Sequence, residues 1–245
     1  MATDMAASEK KTAKGNTVST KRRSTVAIGS AVVLIIVLSG VGWYFLSLSP
    51  SPSSNASSST SNLTSMLLSG APSLGSRNAV VTIIEFGDFQ CPTCGGWYRS
   101  QEPQLIKNLV TSGKAKLVWR DFDFFGPDSV SASEAAYAAG EQGKFWQFHD
   151  LLFQSQQSPN NGWANKQKLE AFARQLGLNM TQFDQSFNSG RYDSLINSNH
   201  SLGVQAGVSE TPTFFIIGPN GKMVTIAGPQ PESVFEQAVA SLTSG

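Results

Sequence analysis

A chain of 245 residues with 40% apolar and 14% charged residues has the makings of a packed core, not of a disordered polymer. Its formal net charge of +1 argues against a nucleic-acid partner, because the basic residues are crowded at one end. Within residues 1–25, Lys10, Lys11, Lys14, Lys21, Arg22 and Arg23 face only Asp4 and Glu9, which leaves the remainder slightly acidic.

Residues 26–46, VAIGSAVVLIIVLSGVGWYFL, carry no charge and match the roughly 20 helical residues that cross a bilayer. A cleaved signal peptide has a shorter apolar region and ends in a small-residue site, which SLSPSPSSNA lacks. The segment therefore reads as a retained transmembrane helix. Basic residues beside a span stay inside, so residues 1–25 form a basic cytoplasmic tail and all that follows the span is extracytoplasmic at the cell membrane. Trp43 and Tyr44 fall at the outer interface. Residues 47–71 are rich in Ser, with Pro and Asn, and read as a flexible linker. Asn55, Asn62, Asn179 and Asn199 open N-x-S/T sequons. One folded domain, residues 72–245, remains.

AVVTIIEF, residues 79–86, is an almost continuous apolar run and predicts a strand buried on both faces. Pro92 suits the first turn of a helix that runs towards Gly113, with a kink at Pro103. AKLVWR, residues 115–120, predicts a second strand, parallel to the first because a helix connects them. Helical spacing then takes over: Phe145, Phe148, His149 and Leu152 lie at i, i+3, i+4 and i+7, as do Leu169, Phe172, Ala173 and Leu176. Tyr192, Leu195, Ile196 and Asn199 repeat it, which predicts an all-helical insertion over about 127–206. TFFII and MVTIA, joined through Asn220-Gly221, read as an antiparallel hairpin, and Phe235, Ala238, Val239 and Leu242 mark a final amphipathic helix after Pro231.

Cys91 and Cys94 are the only cysteines, and this order sets them between the first strand and its helix. Four uses are open to such a pair: a structural disulfide, half of a metal site, inert core residues, or a redox dithiol. A bridge between residues three apart closes too short a loop to add much stability. Zinc wants four ligands, and with no second cysteine pair only His149, His200 and carboxylates remain, so no metal site is expected in the chain. A thiol at a helix start faces free N–H groups and the positive end of the helix dipole, which favour thiolate. Cys91 is thus the expected nucleophile and Cys94 the resolving thiol. Glu85 interrupts the apolar strand six residues earlier; it either relays protons to Cys94 or pairs with a neighbour such as Arg120. Neither His149 nor His200 is expected to be catalytic. Phe89, Trp97 and Phe125 read as core sooner than as a substrate surface.

LGSRNAVVTIIEFGDFQCPTC, EAAYAAGEQGKFWQFHDLLF and ETPTFF together resemble the DsbA-like thioredoxin-fold oxidoreductases over about residues 72–244. The resemblance implies an α/β thioredoxin-like fold, a mixed four-stranded sheet with a helical insertion. It favours the relay role for Glu85. Pro212, which base rates alone would make an ordinary trans proline at a strand start, becomes a cis-proline beside the cysteines. The backbone of Thr211 would then take an extended substrate by strand addition. Pro92 and Thr93, between the cysteines, would tune the redox pair, and Thr93 stands where strongly oxidising members have histidine. The expected activity is a dithiol oxidase that donates disulfides to exported or unfolded thiol proteins. It uses no cofactor beyond the Cys91–Cys94 disulfide and is served by a membrane redox partner, quinone-linked or reducing. A reductase or isomerase of the same fold, and a tethered peptide-binding module, are the alternatives.

Overall fold

The computed structural model describes residues 55–244. The basic tail and the apolar segment 26–46 lie outside them; among the described residues no helix is long and apolar enough to cross a membrane.

A sheet of order β1-β3-β2-β4-β5 forms the frame: β1 (Ser73–Leu74), β2 (Val81–Gly87), β3 (Ala115–Asp121), β4 (Thr213–Ile217) and β5 (Met223–Ala227). β2 and β3 are parallel, as a helical crossover requires; every other pairing is antiparallel. The sheet therefore has five strands where four were expected. The added strand is two residues long, too short to show a period, and it is held on the β3 edge, where the Trp119 N–H donates to the Pro72 carbonyl at 3.1 Å.

β2 is buried along its whole length because both faces are covered. Val81 and Ile83 pack with Leu105, Leu109, Phe214 and Phe235 on one side. Ile84 and Phe86 pack with Leu67, Phe122, Leu202 and Phe215 on the other. By the period of two, Glu85 belongs to the face of Val81 and Ile83.

The Ser-rich stretch expected to be a flexible tether is helical over α1 (Asn55–Leu68). Its composition hides the reason, which is tertiary. Leu67 is fully buried against β2 and β3, and the Arg120 guanidinium collects the carbonyls at the helix end: Met66 at 2.9 Å, Leu67 at 3.1 Å, and Ser69. Arg120 also donates to Asn199 Oδ1 at 2.7 Å. In the parallel register Arg120 sits opposite Phe86, so its side chain leaves the sheet on the face away from Glu85. The Glu85–Arg120 pairing, the alternative to a relay role for Glu85, does not form. Asn199 is buried and hydrogen-bonded to Asp121 and the Tyr137 hydroxyl, so its sequon offers no free amide in the folded protein.

The cysteine helix breaks before Pro103. Helix α2 (Pro92–Ser100) ends, Gln101 intervenes, and α3 (Glu102–Leu105) restarts and runs into a π-helical turn, Ile106–Val110. Proline is thereby placed in a first turn, where its missing N–H is no loss. Five helices then follow: α4 (Pro127–Gly140), α5 (Phe145–Ser155), α6 (Lys166–Gln175), α7 (Met180–Phe187) and α8 (Asp193–Gln205). The chain returns through β4 and β5 to α9 (Glu232–Thr243).

Candidate active site

Cys91 is the N-cap of α2, with Pro92 in the first turn, and both cysteines are free and buried. The Cys91 thiol is pulled down from 9.0 to about 5. The Cys94 thiol is the first cause; burial opposes it, and the Thr211 and Thr93 side chains and the Cys94 N–H add to it. Cys94 moves the other way, well above its ordinary value, because of burial first and then the charge on Cys91 and Glu85. Two thiols of one type are thus driven apart by their surroundings, one towards thiolate and one towards thiol.

The Thr211–Pro212 bond is cis, and it brings the Thr211 carbonyl to the pair. The Thr93 hydroxyl donates to this carbonyl at 2.8 Å and lies 2.8 Å from Cys91 Sγ, which is itself 3.5 Å from the same oxygen. These contacts unite helix start, CxxC interior and cis-proline loop within one small cluster.

Glu85 is 2% exposed, and its Oε2 has no hydrogen-bond partner. Burial, and secondarily the charge of Cys91, raise its carboxyl from 4.5 to about 8. Gly87, two residues on and on the same face, leaves room that any side chain would close: a Cβ there would lie 2.5 Å from the Trp119 ring and 3.3 Å from Glu85 Oε1.

Several residues that shape the site carried no signal in the sequence. Asp88 holds the approach to Cys91, accepting from the N–H groups of Gln90 at 2.7 Å, Phe124 at 2.9 Å and Phe125 at 3.2 Å. Gln90 reaches into the helical insertion, to Ser129 at 3.0 Å and the Asn160 backbone at 2.8 Å. Gln156, just beyond α5, donates to the carbonyls of Phe89 at 2.9 Å and Cys91 at 2.8 Å. Its amide fills the space a side chain on Gly95 would occupy. Gln156→Ala is therefore expected to cost about 1–3 kcal/mol of stability, and Gly95→Ala a similar amount in the wild type but almost nothing in the Gln156→Ala background. Urea titrations of the four proteins measure this; strictly additive losses would refute the contact.

Of the aromatic candidates, Phe89 and Trp97 are core: Phe89 stacks on Trp119 at 4.6 Å, and the Trp97 indole donates to the Gln230 carbonyl. Phe125 is half-buried, while its neighbour Phe124 is 51% exposed and forms the apolar surface nearest the Asp88 loop. His149 is fully buried among aromatic rings, and His200 stacks on Phe122 at 4.6 Å, neither at the cysteines.

A family model described as Thioredoxin matches residues 69–238. The chain is 36% identical over 146 residues to "Na(+)/H(+) antiporter NhaA 1" of Salinispora arenicola. That match covers 59% of this chain and 21% of the relative, so the chain spans about a fifth of the antiporter's length. It is 29% identical over 151 residues to "Probable disulfide bond formation protein D" of Bacillus anthracis, covering 60% of this chain and 69% of that one. Among solved structures, oxidised BdbD from Bacillus subtilis superposes with a TM-score of 0.65 at 23% identity, covering 73% of this chain and 95% of that one. A thioredoxin-like oxidoreductase from Silicibacter pomeroyi gives 0.61 at 26% identity, covering 71% and 93%. The chain belongs to the thioredoxin family.

Proposed function

We propose that the chain is a membrane-anchored, extracytoplasmic thiol:disulfide oxidoreductase that works chiefly as a dithiol oxidase, with residues 1–25 as its cytoplasmic tail and 26–46 as its anchor. The observation that carries the activity is the divergence of the two thiols at one helix start: Cys91 at about 5, Cys94 well above its ordinary value. In the oxidised enzyme a substrate thiolate attacks Cys91 Sγ, the Cys91–Cys94 bond breaks, and the Cys94 sulfur leaves with the electron pair. Glu85, protonated below about pH 8, supplies its proton. A second substrate thiol then attacks the substrate sulfur of the mixed disulfide and Cys91 departs as a stable thiolate. The substrate has lost two electrons and the enzyme has gained them. A membrane redox partner must remove them again.

Direction follows from the same energetics. A depressed Cys91 pKa stabilises the reduced enzyme and makes its disulfide the stronger donor. One contact favours the reductase or isomerase reading: Thr93 offers a neutral hydroxyl 2.8 Å from Cys91 Sγ where strongly oxidising relatives carry an imidazole. About 30 mV corresponds to about 1.4 kcal/mol, so this exchange bears directly on direction. Equilibration of the full chain with glutathione measures the potential.

The nucleophile assignment is tested by alkylation of the reduced chain with iodoacetamide across pH, read by mass spectrometry. Cys91 should react half-maximally near pH 5, losing reactivity below it as the thiolate is protonated, while Cys94 stays unmodified at pH 6. Equal rates for the two would overturn the assignment.

A further inference from the structure

We propose that Glu102, His149 and Asp150 form a binding site for a divalent transition-metal ion of the zinc class, separate from the cysteine pair. One candidate ligand atom from each side chain lies within 4.8 Å of the other two. Clustering alone would carry little, since carboxylates gather on many surfaces. What points to a ligand is the state of the buried members. Glu102 is only 4% exposed, yet its Oε2 has no hydrogen-bond partner. His149 is fully buried, with Nε2 equally unpartnered and Nδ1 3.1 Å from Asp150 Oδ1. A carboxyl oxygen and an imidazole nitrogen taken out of water without partners are costly, and a cation within reach of both side chains supplies what they lack.

The chemistry selects the class of ion. One imidazole nitrogen with two carboxylate oxygens is a three-ligand set of the zinc type, whereas calcium and magnesium prefer oxygen alone and soft ions prefer sulfur. Access is provided: Glu102 and Asp150 line an open pocket of about 360 Å³ with Tyr98, Pro103 and Gln154, which has room for water to complete the coordination. Arg99, the basic residue of that lining, donates to the Phe153 carbonyl at 3.1 Å. The sequence set zinc aside for want of ligands; this set uses no cysteine.

Placement gives the site a consequence. Glu102 opens α3, just past the break that ends the cysteine helix, while His149 and Asp150 belong to α5 of the helical insertion. A bound ion would brace the insertion against the far end of the helix that Cys91 begins.

The test is independent of the redox reading because it needs no turnover. The full chain without an affinity tag, stripped of metal and with Cys91–Cys94 oxidised so that thiolates cannot compete, is titrated calorimetrically with zinc chloride. One ion per chain is expected, with a rise in unfolding temperature. Asp150→Asn, at a side chain 48% exposed, should weaken binding about tenfold or more, and Glu102→Gln should do the same. Absence of zinc binding by the wild type, or unchanged affinity in Asp150→Asn, overturns the site. Asp150→Asn decides alone if Glu102→Gln fails to fold.

Discussion

Cys91→Ser in the full chain is expected to abolish thiol–disulfide exchange altogether, and Cys94→Ser to halt it at a covalent complex. The asymmetry follows from the site. Serine at 91 removes the sulfur on which the substrate bond forms, and the thiol that remains, Cys94, is fully buried and held protonated. Serine at 94 leaves the Cys91 thiolate at the helix start, still able to form a mixed disulfide but with no thiol to resolve it. Non-reducing gels with a disulfide-containing peptide separate the outcomes: a stable adduct for Cys94→Ser, none for Cys91→Ser. Retained activity in Cys91→Ser would instead support a peptide-binding module. Glu85 adds a pH signature. Its carboxyl, raised to about 8, is protonated and neutral below that value; as pH rises through it, the proton that the departing Cys94 sulfur takes up is lost. Burial, the main cause of the shift, persists in the oxidised enzyme, where Cys91 carries no charge; mixed-disulfide formation by the oxidised wild type should therefore slow as pH rises through the raised Glu85 value, and this inflection should vanish in Glu85→Gln.

The second large effect is on stability. Arg120→Ala is expected to destabilise the protein by about 3 kcal/mol or more, since it strips charge-assisted donors from the end of α1 and from Asn199 together. The carbonyls of Met66 and Leu67 would be left with Leu67 still buried. Arg120→Lys should recover only part, because an ammonium cannot span the acceptors that a planar guanidinium spans. Urea unfolding measures both; a loss below about 1 kcal/mol for Arg120→Ala would show that α1 is held by Leu67 alone.

Where sequence and structure part company, the distance along the chain explains it. AVVTIIEF and AKLVWR announce β2 and β3 because burial on both faces leaves a continuous apolar run, and Asn220-Gly221 announces its hairpin through turn chemistry. The cysteines could be placed at a helix start from Pro92 and the strand before it. No local signal marks α1, most of whose residues are serine, threonine or asparagine and whose order depends on Arg120, about fifty residues away. The same holds for Gln156, which is 65 residues from the Cys91 carbonyl that it clamps. Glu85 shows a third limit: its identity suggested a partner, but which face of the sheet Arg120 takes depends on register, and register is not written in either strand alone.

The Thr93 hydroxyl carries one proton and stands 2.8 Å from two atoms that want it, the Thr211 carbonyl and Cys91 Sγ. A thiol at Cys91 can give its own proton to Thr93, which leaves that hydroxyl free to cap the carbonyl. A thiolate has none to give and draws the hydroxyl proton to itself, so the carbonyl loses its donor. The ionisation of one sulfur is thereby converted into a vacant acceptor on the cis-proline edge. For a substrate added as a strand at Thr211, as the family resemblance implies, that acceptor would be open only while Cys91 is a thiolate.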